Sequence, residues 1–152
     1  MWSSRKVEKY DLKADESLTV FEFISVGVNG AVRKQIHFQP TYTPGLYNLA
    51  FGDKHSDIGE LDDLAVTNNG DTDKVLRTVI AALYTFLDKY PEAFVYATGS
   101  TPPRTRLYRM GITRFYDEMI QDFNLFGRIG KEFYTFEIGT EYEGFLAQRK
   151  FD

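Results

Sequence analysis

The stretch ATGSTPPRTRLYRMGI, residues 97–112, gathers the residue types best suited to hold a small anion. Ser100 and Thr101 offer hydroxyls, and Arg104, Arg106 and Arg109 offer guanidinium forks that bind carboxylate or phosphate with paired donors. Thr101 suits a helix N-cap, since its hydroxyl can accept from an amide one turn on. Pro102 suits the first helical position, with φ already set. The helix so started carries Arg104 and Arg106 in its first turns, where acids are the rule, at about 0.3–1 kcal/mol each when exposed. A bound phosphate or carboxylate would offset that cost, held by the helix-start amides, the two hydroxyls and the arginines. Arg106 and Arg109 also share a helix face. The competing reading is structural: the arginines pair with carboxylates of an acidic segment or of the C-terminal region, and the Ser/Thr-Pro run only caps.

Other chemistry is sparse. Asp53, His55 and Asp57 alternate, as metal ligands on a strand face would, but hard-metal loops carry more ligands in a fixed pattern. A solvated loop is the better reading, and no metal site is expected. His37 reads as a surface residue of a strand. With no cysteine there is no disulfide, thiolate metal site or Cys nucleophile. Neither G-x-S-x-G nor G-x-G-x-x-G occurs, and NNGDTDK is too acidic and glycine-poor for a phosphate loop.

The 152 residues suit one domain spanning 1–152, and the 43% hydrophobic content, with thirteen Phe and ten Tyr, can fill a core. The net charge of −4 argues against a general nucleic-acid binder but leaves room for a local basic patch. Acids crowd residues 53–73, and arginines crowd residues 104–131. The start, MWSSRKVEKYDLK, has no apolar segment of the signal-peptide kind, and no apolar run approaches a membrane span. The expectation is a cytoplasmic protein with no membrane partner.

These residues must be positioned by the surrounding elements. LTVFEFISVGVNGAVRKQIHFQPT predicts a β-hairpin: Val32, Lys34, Ile36 and Phe38 alternate with Arg33, Gln35, His37 and Gln39. Asn29-Gly30 would supply the two positive-φ turn positions. The first strand, apolar on both faces, reads as central. LYNLAFGD predicts another strand, and ELDDLAVTN a weaker one. Leu76, Val79, Ile80, Leu83, Phe86, Leu87 and Tyr90 recur at helical spacing and predict a helix over 72–90. AFVYATG follows as a short buried strand. A second long helix is expected over 104–121, with Leu107, Tyr108, Ile112, Phe115 and Met119 inward. NLFGRI, EFYTFEIG and YEGFLAQRK close the chain as strands. The order predicts an α+β fold: a mainly antiparallel twisted sheet with two long helices.

Two resemblances arise on these residues. TNNGDTDKVLRTV, YPEAFVYATGSTPPRTRLYRMGI and YEGFLAQRK resemble a bacterial family of short proteins known only as a domain of unknown function. Residues 46–120, ordered β, β, α, β, α with RTRLYRMGI on the last helix, distantly resemble the cofactor-binding half of the GNAT-superfamily N-acetyltransferases. That likeness implies a GNAT-like sheet, acetyl-CoA as cofactor, and Tyr108 as the acid that protonates the thiolate. Tyr108 also reads as a core aromatic, and Asp71 and Asp73 would repel a pyrophosphate at the earlier helix. Three functions are therefore carried. The first is a binding module for a phosphate-bearing small molecule or nucleic-acid phosphate at Ser100, Thr101, Arg104, Arg106 and Arg109. The second is a protein–protein interaction module whose exposed aromatics would permit a homo-oligomer. The third is a divergent acyltransferase; outside that reading, no cofactor is expected.

Overall fold

Alternation in GAVRKQIHFQP and the apolar run VFEFISVG build the first hairpin, β2 (Val20–Gly27) and β3 (Gly30–Pro40), in the register Val20↔His37 to Gly27↔Gly30. The computed structural model describes residues 8–54, 70–99 and 101–151, together with the backbone of 61–62. The turn keeps two central residues but sits one residue earlier than the expected Asn29-Gly30. Val28 and Asn29 are its central residues, and Gly30 alone takes the left-handed conformation at φ +83. This is a turn relaxed by one left-handed glycine, which needs no positive φ at Asn29.

β2 is also not central. Only the two-residue β1 (Lys13–Ala14) lies beyond it, and β3 flanks it on the other side. Phe21 and Phe23 point into the core, whereas Ile24 and Val26 on the other face are exposed. β4 (Leu46–Lys54) pairs antiparallel with β3 and parallel with β6 (Phe94–Ala97). β9 (Gly144–Arg149) lies between β6 and β7 (Phe123–Ile129), and β8 (Glu132–Thr135) closes the far edge. β5 (Leu61–Asp62) adds to the end of β4. Of ELDDLAVTN, only those two residues are described. Among the described residues nine strands form one sheet, antiparallel except at β4–β6. The α+β expectation holds.

The helices pack on the face carrying Phe38, Phe51, Val95 and Phe145. α1 (Thr72–Lys89) starts and stops within a residue of the expected bounds and buries Leu76, Val79, Ile80, Leu83, Phe86 and Leu87. Phe86 stacks on Phe38 with ring centroids 4.4 Å apart. Burying each such side chain stabilises by about 1.5–3 kcal/mol. The second long helix is instead two: α2 (Pro102–Arg114) and α3 (Tyr116–Asp122). Phe115 leaves helical geometry at φ −115, ψ 24 and is almost wholly buried. The break lets Asp117 and Glu118 fall in the first turn of α3, where the helix dipole favours them. No helix among the described residues is long and apolar enough to cross a membrane.

The opposite sheet face carries no helix among the described residues and is held by charge. The Glu22 carboxylate accepts from Arg33 Nη2 at 2.7 Å, Gln35 Nε2 at 3.3 Å and Lys54 Nζ at 3.4 Å. Burial pushes the Glu22 pKa up, but these donors outweigh it and hold the carboxyl below its usual value. His37 hydrogen-bonds the Gln35 carboxamide at 2.8 Å, and burial first, then the Lys54 charge, depress its pKa.

Two tests follow from this packing. Gly127 lies against the Tyr142 ring so closely that a Cβ would overlap it. Gly127→Ala should therefore destabilise by about 1–3 kcal/mol in urea denaturation. Both His37 and Glu22 have folded pKa values below their unfolded ones, so both contribute stability at neutral pH that is lost on acidification. For His37 the loss begins as pH falls through its ordinary value of 6.5. Melting temperature should fall from about pH 7 to about pH 4, and His37→Gln should flatten the upper part of that fall.

Candidate functional site

The sheet's one parallel pair decides where a site can form. β6 matches β4 only at Leu46↔Phe94, Tyr47↔Val95 and Asn48↔Tyr96, while β4 runs on to Lys54. Asp53 pairs with Lys34 of β3 and also with Asp62 of β5, so β5 lies along the edge of β4 that β6 has left. In open α/β sheets, ligands bind outside the carboxyl ends of parallel strands, where chains diverge. Here the chain turns from β6 through Thr98 and Gly99 into α2. Gly99 is required at this turn, since a Cβ would overlap the Arg104 side chain and the Thr105 amide.

Thr101 caps α2 as expected, its hydroxyl accepting from the Arg104 amide at 3.4 Å. The helix start nevertheless presents no free amides in its first turn. Pro102 and Pro103 have no N–H, and the Arg104 and Thr105 amides both donate to the Thr101 carbonyl at 3.1 Å. The expected cradle of helix-start amides is therefore absent, and recognition at this end falls to side chains.

The arginines separate. Arg104 is 4% exposed; its guanidinium donates to the Phe51 carbonyl and lies over the Phe51 ring, 5.6 Å from its centre. The buried Lys34, 2.6 Å from Asp53, also lies over the Phe51 ring, 5.8 Å from its centre. Arg104 thus leaves the expected rim and becomes part of the core. Ser100 lies outside the described residues. Arg106 and Arg109 do come together with Thr101, on a pocket of about 330 Å³. Thr98, Thr105, Glu141 and Glu143 join them there, and the sequence reading missed all four. Thr105 was within reach of that reading, standing one turn before Arg109 on the same helix face. The two glutamates come from a segment distant in sequence.

The pocket's charge is mixed but tilted. Glu141 is 93% exposed and reaches Arg109 only at 4.0 Å, a contact worth about 0–1 kcal/mol. Glu143 is turned to Arg128, at 3.2 Å, and to the Gly130 amide. Among the described residues Arg106 has no carboxylate partner.

Tyr108 is buried on the inner face of α2, in the wall of an apolar cavity with Leu49, Leu76, Val95, Ile112 and Phe145. At the start of α1, Asp71 stands at the N-cap position. Its carboxylate accepts from Ser25 at 2.6 Å and from Tyr10. Among the described residues no group of metal-ligating side chains forms; His55 and Asp57 lie outside them.

Arg104 and Arg106 thus differ in what their loss should do. Arg104→Ala strands a buried carbonyl and should cost about 1–3 kcal/mol in urea denaturation. Arg104→Met, which keeps the packing, should recover only part of it. Arg106→Ala should change stability by no more than about 0.5 kcal/mol.

No curated protein matches the chain, and no solved structure matches it. The likeness to the N-acetyltransferases therefore gains no support from known proteins. One family model does match, over residues 6–150, and covers almost all of the elements described above. The chain belongs to that family, a family of unknown function (DUF6934).

Proposed function

We propose that this domain is a binding module for a small anionic ligand, taken in the pocket at the start of α2. One observation carries the reading: Arg106 and Arg109 line a single pocket with Thr101, whose hydroxyl proton is not given to a protein acceptor, and Arg106 is uncompensated among the described residues. Guanidinium forks with flanking hydroxyls are the side-chain set for carboxylate or phosphate. The ligand class is a carboxylate or a phosphate-bearing small molecule; a nucleic-acid phosphate would use the same groups. Arg104 supports the site from behind by fixing the first turn of α2 on β4.

Two other readings rank lower. Ile129, Phe133, Tyr134 and Ile138 are exposed around the hairpin of β7 and the outermost strand β8, which favours a protein-interaction surface and self-association as the second reading. An acyltransferase using acetyl-CoA, with Tyr108 as acid, draws support from the short parallel pairing of β4 and β6. Against it stand the Asp71 carboxylate at the start of α1, the β5 pairing along the end of β4, and the burial of Tyr108.

The test is a thermal melt with and without added phosphate. A ligand at a hundred times its Kd stabilises by about 2.7 kcal/mol, a shift of several degrees. Arg106→Ala and Arg109→Ala should each lose most of that shift while melting normally without ligand, and added salt should weaken it in the unmutated protein. A melting temperature unmoved by phosphate and by carboxylates would refute the reading.

A further inference from the structure

We infer that the ligand of this site carries charges of both signs: a phosphate or carboxylate held by Arg106 and Arg109, and an ammonium held by Glu141. The inference rests on the anion-binding reading above and adds the class of ligand. Arg106, Arg109 and Glu141 all line the same pocket of about 330 Å³, so one small molecule can meet all three. The arginines stand on α2 and the glutamate in the segment before β9, so two separate pieces of chain present the two signs to one space. Arg109 and Glu141 approach to 4.0 Å, beyond the hydrogen-bonding range of about 2.7–3.2 Å. Glu141 is thus turned toward the arginines without being spent on them, and its carboxylate accepts no hydrogen bond among the described residues. The other acid of the pocket is engaged: Glu143 accepts from Arg128 Nη1 at 3.2 Å and from the Gly130 amide at 3.2 Å.

A bare anion in this pocket would stand beside the Glu141 carboxylate, like charge against like charge. An ammonium on the same ligand turns that repulsion into attraction and selects against the bare anion. Two guanidiniums and one loosely held carboxylate leave the pocket with a net positive charge. A phosphate monoester bearing a primary amine answers it closely, with a charge of about −1.5 to −2 on the phosphate at neutral pH and one positive charge on the amine. An α-amino acid offers the same pair of groups with a singly charged head. Both are small enough. A cavity of about 150 Å³ takes benzene, so a pocket of twice that volume admits about eight heavy atoms with room to spare.

The experiment is calorimetric titration of the full chain, near neutral pH and without phosphate or carboxylate buffers, with two matched pairs. One pair is propionate and alanine, the other ethyl phosphate and phosphoethanolamine, and the members of each differ by one ammonium. The ammonium member should bind about two- to fivefold more tightly, the range of an exposed ion pair. A preference in either pair bears the inference out, and the pair that shows it names the head. Glu141→Gln should then reverse the order: the ammonium members lose their gain, and the bare anions bind more tightly once the repelling charge is gone. Glu141 is 93% exposed, so this variant should melt as the unmutated protein does. Equal or weaker binding of the ammonium members in both pairs, or a preference that survives Glu141→Gln, would overturn the inference and leave the anion site standing. Binding of none of the four would remove both.

Discussion

The structure turns on a backbone group that a missing strand leaves behind. β6 pairs with β4 for three residues and departs, and the rest of β4 continues through the interior. Buried carbonyls must find donors. β5 serves the end of β4, and the Arg104 guanidinium serves Phe51. This explains a basic side chain at a helix start. The dipole penalty there is about 0.3–1 kcal/mol, whereas a buried hydrogen bond from a charged donor contributes about 1.5–3 kcal/mol. The bond wins, and it fixes where α2 begins.

The rest of the candidate site inherits that placement. With the first turn of α2 fixed over β4, Gly99 must be glycine, and Thr105 is brought back to accept from the Gly99 amide at 3.0 Å. Thr105, Arg106 and Arg109 then line one pocket with the segment before β9. Because two prolines and a threonine cap have already used the helix start, the charge in the pocket comes from side chains alone. Its charge can change by single substitutions without disturbing the cap.

The two sheet faces solve burial differently. Under the helices, stacked rings fill the space: Tyr10 on Phe23, Phe23 on Phe51, and Phe38 on Phe86. On the other face, Glu22 gathers Arg33, Gln35 and Lys54 into one network, which makes that face sensitive to acid. Among the rings of the helix face lies the buried Lys34–Asp53 pair, directly opposed in the register of β3 and β4, with the Lys34 ammonium over the Phe51 ring. Removing either member would leave a buried charge, so the pair fixes this register.

The periodic elements were legible in the sequence by itself. Alternation fixed β3, helical spacing fixed α1 to within a residue, and Thr101-Pro102 marked the start of α2, because each is a local preference of a few residues. The α+β class followed from their order. What the sequence left open needed contacts from afar. The apolar stripe of residues 104–121 reads as one helix, and only the core into which Phe115 is drawn breaks it in two. The first strand looks central until the sheet places it beside a two-residue edge. Arg104 and Arg106 look equivalent in a row of arginines. Two residues along a helix point about 200° apart, so one must face the sheet and the other must face away. Which arginine became core and which stayed exposed was settled by the strand beneath the helix, and nothing within the stretch 97–112 encodes where that strand lies.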